Sequence, residues 1–213
     1  MSEFASTYDA LAPRYDAWSS AQRPDVREAW VRKVGVIVEP GARVVELGCG
    51  TGVPVGRWLA SRYDYTGVDA SPGMLAQARR QVADGAFVHA DMETVTFESG
   101  ALGAVVAFSS IIHVPREHHA ALFGAISTWL RPGGVFAASL HSRDDPDDFD
   151  PDWLGGGPMR WTGFDRETNV TLLDRAALEI VESEVVEQVE PDGCVIHPFW
   201  LIARRTLHSP QSA

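Results

Sequence analysis

Three alternating glycines restrict the fold of this chain more than any other feature of its sequence. In VVELGCGTG, at residues 44–52, Gly48, Gly50 and Gly52 follow a short run of apolar and β-branched residues. That run predicts a buried strand, and residues 53–62 predict a helix. Because glycine has no Cβ, the backbone between them can turn tightly and approach a ligand closely. We therefore expect an α/β fold with a ligand held over this turn.

Strand patterns and helix patterns alternate along most of the chain. Five strand-like runs are separated by helical patterns or turns, at residues 42–48, 64–70, 86–91, 103–110 and 134–141. This alternation is typical of a parallel sheet with helices on both faces. Two further runs, 178–189 and 194–205, are joined by the turn sequence EPDG and predict a β-hairpin. The predicted fold is α/β, with a doubly wound, mostly parallel seven-stranded sheet and an antiparallel C-terminal hairpin strand.

Two segments lie outside this alternation. Aromatic residues recur at helical spacing near the start of the chain, where Pro13 predicts a break between two short helices. Residues 142–166 contain six aspartates between positions 144 and 152 and three consecutive glycines, and they predict a long lid loop. Its apolar side chains, expected to line a substrate pocket or to anchor the lid, are Trp153, Met159 and Trp161. We expect a single domain over 1–213, with 1–40 as a helical cap and 142–166 as an inserted lid.

The charge balance narrows the classes of partner. With 18 basic and 29 acidic residues, the formal net charge is −11, which argues against nucleic acid or an anionic membrane as the partner. Two cysteines are too few for a disulfide framework or a Cys-rich metal site, and we assign no metal ligands. Neither a signal peptide nor an apolar run of ~18 residues is present. We expect a cytoplasmic protein, and the oligomeric state stays open.

The glycine spacing separates two families of nucleotide cofactor. A dinucleotide site has the pattern G-x-G-x-x-G, but Val55 stands where that pattern, counted from Gly50, would place its third glycine. The sequence ELGCGTG instead resembles the first motif of the class I S-adenosylmethionine (SAM) methyltransferases. The resemblance covers roughly residues 5–205 and continues in order through YDALAPRYD, VDASPGML, HADME, AFSSIIHVP and LRPGGVFAAS.

This resemblance implies a set of cofactor-binding residues. Asp69 closes the second strand and would accept hydrogen bonds from the ribose hydroxyls. In the family, the position of Asp91 accepts from the adenine amino group and that of Met92 contacts the ring. The residues assigned to SAM in this way are Tyr8, Tyr15, Glu46, Gly48, Gly50, Gly52, Asp69, Ala70, Met74, Asp91, Met92 and Ser109.

The activity that the resemblance implies is methyl transfer from SAM to a small organic molecule, with S-adenosylhomocysteine (SAH) as product. An O, N or C nucleophile is equally compatible, and a non-methylating enzyme of the same fold, such as a cyclase, is the alternative. His113 and His141 follow the fourth and fifth strands, at the edge where open α/β sheets bind ligands. Each is a candidate general base or substrate contact, or else orders its loop by hydrogen bonding. His118 and His119 are expected on a solvated helix face.

Overall fold

A computed structural model describes residues 3–22 and 25–206. The helices are α1 Glu3–Leu11, α2 Tyr15–Ser19, α3 Arg27–Ile37, α4 Val55–Ala60, α5 Pro72–Gln81, α6 His119–Trp129 and α7 Arg166–Arg175. The strands are β1 Arg43–Leu47, β2 Asp64–Asp69, β3 Ala86–His89, β4 Leu102–Ala107, β5 Leu130–Leu140, β6 Asp145–Asp150, β7 Met159–Gly163, β8 Leu178–Val185, β9 Gln188–Val189, β10 Val195–Ile196 and β11 Phe199–Arg205.

Seven strands form the central sheet in the order β3-β2-β1-β4-β5-β11-β8. Strands β1 to β5 pair in parallel, whereas β11 is antiparallel to both β5 and β8. Every residue of β4 is buried, because helices cover both faces of the sheet at its centre. The predicted fold class, including the antiparallel hairpin strand, is confirmed.

The prediction of a loop over residues 142–166 is wrong. This segment is not an irregular loop, because β6 and β7 pair within it as an antiparallel hairpin. Most side chains of β6 are exposed, so the strand carries none of the apolar alternation from which strands are predicted. The hairpin is supported by Arg160, which bonds Asp147 at 2.5 Å and lies over the ring of Phe149. We keep the name lid for residues 142–166.

Two further element boundaries differ from the sequence pattern. The helix predicted from residue 116 begins at His119, after a short 3₁₀ turn over Arg116–His118. Strand β5 begins at Leu130, so the RPGG sequence belongs to the strand, with Gly133 at φ +78° and a register shift against β4. Pairing of Leu130 with Leu102 extends the strand beyond its apolar core, where a turn was expected.

The cap helices α1 and α2 lie over the carboxyl edge of the sheet, with the predicted break at residues 12–14. Asp9 Oδ1 accepts hydrogen bonds from Ser71 Oγ at 2.5 Å and from the Gly73 N–H at 2.7 Å, both at the start of α5. Thr7 Oγ1 donates to the Pro158 carbonyl of the lid at 2.7 Å. The cap is therefore fixed to the start of α5 on one side and to the lid on the other. Within the described ranges, no helix has the length and apolar character to cross a bilayer.

Candidate active site

A cavity of about 680 Å³, measured with its open mouth, lies between the cap and the carboxyl edge of the sheet. Of the residues predicted to bind the cofactor or substrate, the cavity is lined by Tyr8, Tyr15, Gly48, Gly50, Asp69, Ala70, Met74, Asp91, Met92, Ser109 and His113. The fold thus gathers at one cavity residues that the sequence spreads over more than 100 positions.

The cavity follows the ends of four adjacent strands. Asp91 follows β3, Asp69 ends β2, Gly48 follows β1, and Ser109 follows β4. Neighbouring strands are ~4.8 Å apart, so three spacings correspond to roughly 14 Å. The lining is therefore long enough for an extended ligand that reaches from β3 to β4.

Two glycines shape the turn after β1. Gly48 has φ +72°, and a Cβ built on it would lie 2.3 Å from Ser110 Cβ, so only glycine fits against Ser110. Gly50 has φ +53°, and a Cβ there would meet no protein atom within 4 Å and would take up open space beside the cavity. Gly52 lies outside the lining, where its Cβ position is 2.9 Å from Val82 of the neighbouring segment. The turn therefore offers backbone rather than side chain to a ligand.

Asp69 is held in place by backbone donors. Its Oδ2 accepts from the Gly50 N–H at 2.8 Å, and its Oδ1 accepts from the Ser71 N–H at 2.9 Å. Burial raises the pKa of Asp69 to about 6, against the lowering effect of these two N–H groups. The group is thus an oriented carboxylate at neutral pH, and each oxygen keeps a further lone pair for a ligand hydroxyl.

Glu46 was predicted to bind the cofactor, but it lies behind the turn and outside the cavity lining. Its side chain is buried, and Glu46 Oε2 accepts a hydrogen bond from the Tyr65 hydroxyl at 2.6 Å. Burial raises the pKa of Glu46 to about 8, although the bond from Tyr65 acts in the opposite direction. Glu46 therefore supports β1 and the glycine turn as a mostly protonated acid at neutral pH.

Replacing Glu46 with glutamine is expected to remove a pH dependence of stability. The folded-state pKa of Glu46, about 8, exceeds the unfolded value. The native protein thus loses stability as pH rises from the unfolded pKa to about 8, by an amount on the order of a few kcal/mol. Glutamine is neutral throughout and still accepts from Tyr65. Thermal melts from pH 5 to pH 9 should show a smaller decline for Glu46→Gln than for wild type, and parallel curves would contradict this.

His113 is the catalytic candidate that lines the cavity. Tyr8 Oη lies 2.9 Å from His113 Nε2, and His113 Nδ1 lies 3.0 Å from the Arg160 carbonyl oxygen. Because a carbonyl only accepts, Nδ1 carries the proton and Nε2 accepts from the Tyr8 hydroxyl. Burial lowers the pKa of His113 to about 4, and burial raises the pKa of Tyr8 well above its ordinary value. The pair is a neutral imidazole with its acceptor nitrogen directed at a phenol.

The other predicted histidines occupy different surroundings. The structure leaves His141 outside the cavity lining, with Nδ1 3.8 Å from Asp145 Oδ2 and its ring against β7, where a Cβ on Gly163 would lie 2.6 Å from it. Burial lowers the pKa of His141. The expectation of a solvated face is correct for His118 and wrong for His119, which is buried and hydrogen-bonded to the Val114 carbonyl at 3.0 Å.

Several lining residues were not singled out from the sequence. They are Phe4, Val68, Ala90, Glu93, Phe108, Ser110 and Val114. Phe4 lies one helical turn before Tyr8, so the period of α1 could have identified it. Ser110 carries no such signal, because its role depends on close contact with Gly48 and on a 2.7 Å bond from its Oγ to the Leu47 carbonyl. In the part of the chain that the structure describes, no three His, Cys, Asp or Glu side chains form a group able to hold a metal ion.

The sequence of the chain is similar to the sequences of known methyltransferases. Residues 44–134 match a family model described as a methyltransferase domain. A trans-aconitate 2-methyltransferase of Methylobacterium nodulans is 37% identical over 102 residues, which are 46% of this chain and 38% of that protein. A malonyl-[acyl-carrier protein] O-methyltransferase of Serratia marcescens is 32% identical over 136 residues, 63% of this chain and 51% of that protein. The chain thus spans about half or less of the length of these curated relatives.

A solved structure extends the likeness across most of the fold. The 1,6-didemethyltoxoflavin-N1-methyltransferase of Burkholderia thailandensis, with its substrate and SAH bound, superposes with a TM-score of 0.61 at 21% identity. The match covers 92% of this chain and 88% of that one. At this identity it supports the fold, whereas the sequence matches support the domain family.

Proposed function

We propose that this chain is a class I SAM-dependent methyltransferase, which transfers a methyl group from SAM to a small organic molecule and releases SAH. The main support for this proposal is the geometry at Asp69. The carboxylate of Asp69 is held by the N–H of Gly50 at the cavity, so an acidic acceptor and an exposed backbone turn face the same ligand. This arrangement suits a nucleoside joined to an amino acid.

The residues around the cavity fit SAM in its extended form. Asp69 would accept from the ribose hydroxyls, and Asp91 with Met92 would hold the adenine ring at the β3 end. The turn at Gly48 and Gly50 leaves space beside the backbone for the amino-acid part. Ser109, at the end of β4, would lie beside that part. The cap residues Tyr8 and Tyr15 would close over the bound molecule.

SAM, when bound, supplies a methyl group on a positively charged sulfur. The chain itself positions the acceptor, excludes water and sets the protonation state of the groups nearby. The cap and lid perform the first two tasks, since α1 is bonded to both α5 and the lid. We assign His113 to the acceptor, because its neutral Nε2 can accept a hydrogen bond from a substrate O–H or N–H. His141 is retained only as a group that orders the start of the lid.

The substrate is proposed to be a small molecule because the cavity lies beneath the cap and is not an open groove. The names of the relatives describe action on trans-aconitate and on a malonyl group carried by a protein, which leaves the acceptor atom of this chain open. A cytoplasmic location is proposed on the free thiols of Cys49 and Cys194, which suit a reducing compartment. We also propose that residues 1–213 form a single domain.

Calorimetry and product analysis together test this function. SAH is expected to bind with one site per chain, and turnover of any substrate is expected to release SAH in equal amounts with a methylated product. Turnover without SAH release would favour the alternative, a non-methylating enzyme of this fold such as a cyclase. Lack of binding of both SAM and SAH would overturn the proposed function.

A further inference from the structure

The charged side chains that line the cavity are all acidic. Asp69, Asp91 and Glu93 line it, and the described lining residues include no arginine or lysine. His113 adds no positive charge, because burial lowers its pKa to about 4. A carboxylate or phosphate group on the methyl acceptor would therefore gain no cationic partner from the side chains that line the cavity.

The arginines that adjoin the lining residues are held by other groups. One lies next to Tyr15, one lies two positions after Val114, and one belongs to the lid strand that bonds His113. Their contacts are Arg14 with the Leu154 carbonyl, Arg116 with Asp144, and Arg160 with Asp147. A fourth arginine, Arg27, interacts electrostatically with Tyr15 and pairs with Asp25 at 2.6 Å. An anionic substrate would compete with these contacts for the guanidinium groups.

Aromatic rings gather at the end of the cavity near β4. We call this group the aromatic compartment. Phe4, Tyr8, Tyr15 and His113 line the cavity there, and Trp153 and Trp161 pack against Tyr8 and His113 from the lid. The Phe4 ring stacks on His113 with centroids 5.7 Å apart and planes at 16°, and Tyr8 meets His113 edge-on at 5.4 Å. Trp161 approaches the same imidazole at 6.3 Å. Such faces and edges favour a further flat ring as their occupant.

We infer that the methyl acceptor is an uncharged, planar aromatic compound bearing an O–H or N–H group, an inference that rests on the proposed function. Its ring packs within the aromatic compartment, and its O–H or N–H donates to His113 Nε2 in place of the Tyr8 hydroxyl. The Arg160 carbonyl keeps the proton on Nδ1, so Nε2 stays an acceptor. The lid thereby fixes the tautomer of His113 that receives the substrate.

The reaction at such an acceptor balances without a further reagent. The lone pair of the acceptor oxygen or nitrogen forms the new bond to the methyl carbon as the carbon–sulfur bond breaks and its electron pair stays on sulfur. The acceptor loses its proton by way of His113 Nε2 to water. Because burial lowers the pKa of His113, the imidazole passes the proton on to water and does not retain it.

A matched pair of ligands tests the inference by binding alone. The probes are 1-naphthol, which is uncharged at neutral pH, and 1-naphthoate, which has the same ring with a carboxylate. Calorimetry with and without SAH is expected to show at least tenfold tighter binding of 1-naphthol. Phe4→Leu should weaken the binding of 1-naphthol several-fold, while Phe97→Leu, which is packed against Trp129 and lies outside the cavity lining, should leave the affinity unchanged.

Equal or tighter binding of 1-naphthoate, or no binding of 1-naphthol, would overturn the inference. Equal effects of the two phenylalanine substitutions would overturn the part assigned to the aromatic compartment. Failure of SAH to bind would count against the proposed function instead, and the naphthol comparison without SAH would still decide the chemistry of the compartment.

Discussion

Replacing Asp69 with alanine is expected to weaken SAH binding by roughly 100-fold or more. Two charge-assisted hydrogen bonds to the ribose would be lost, each contributing about 1.5–3 kcal/mol. The substitution also removes the acceptor of the Gly50 N–H, while the N–H groups of Gly48 and Cys49 stay bonded to the Val68 carbonyl of β2. Titration calorimetry with SAH measures the change directly, without any knowledge of the substrate.

Asp64→Ala is the matched control for this experiment. Asp64 lies at the opposite end of the same strand, is exposed, and forms an ion pair with Arg43 at 3.6 Å. Exposed pairs of this kind contribute ~0–1 kcal/mol, so SAH affinity should not change. If Asp69→Ala bound SAH as tightly as Asp64→Ala, the assignment of Asp69 to the ribose would be wrong.

The pH dependence of binding gives a second readout for Asp69. Its pKa is about 6 in the free protein, and ribose hydroxyl donors favour the ionised form and so lower that pKa. SAH affinity should therefore be constant above pH 7 and fall as pH drops below about 6, by at most tenfold per unit. Asp69→Asn should bind weakly at every pH and show no such fall. A wild-type profile that matches the Asn profile would contradict the role of the carboxylate.

The parts of this fold that repeat a local pattern could be predicted from the sequence. Strands β1 to β5 contain short apolar runs separated by helices or turns, and the glycine turn follows the first of them, so both the sheet and its ligand edge were predicted. The lid hairpin could not be predicted, because β6 is built of exposed aspartates and pairs with β7 away from the core. A hydrophobic period in the sequence indicates which side chains are buried, and most side chains of β6 are exposed.

In the candidate site, too, features that depend on nearby residues could be predicted, and contacts between distant positions could not. Asp69 and Gly48 were found because each ends or follows a strand at the ligand edge. The position of a residue at the end of a strand also selected His141. That position does not determine the direction of the side chain, and the His141 ring packs on Gly163 of the lid. The bond between Tyr8 and His113 joins residues 105 positions apart and leaves no trace in either local pattern.

Gly48→Ala is expected to disrupt both stability and binding, because two separate penalties act at this position. A non-glycine residue at φ +72° is strained by about 1–2 kcal/mol, and the new Cβ would lie 2.3 Å from Ser110 Cβ. Ser110 cannot retreat, since its Oγ donates to the Leu47 carbonyl at 2.7 Å. Overpacking of this kind adds typically 1–3 kcal/mol, so we expect a melting temperature lower by ~10 °C and a loss of SAH binding of at least tenfold.

Gly100→Ala separates the strain from the clash. Gly100 has φ +70°, close to that of Gly48, but a Cβ there meets nothing within 4 Å. It should therefore lose only the ~1–2 kcal/mol of backbone strain and keep full SAH affinity. Equal melting temperatures for the two alanine variants would mean that the contact with Ser110 is not what excludes a side chain at residue 48.

The double variant Gly48→Ala/Ser110→Gly identifies the clash by rescue. Glycine at 110 removes the Cβ that meets the new side chain, while the strain at residue 48 remains. The double variant should thus recover stability relative to Gly48→Ala, although Ser110→Gly alone is destabilising through loss of its bond to Leu47. That sign reversal is a coupling between neighbours of the kind that a double-mutant cycle measures. If the two losses were simply additive, the contact with Ser110 would not be what excludes a side chain at residue 48.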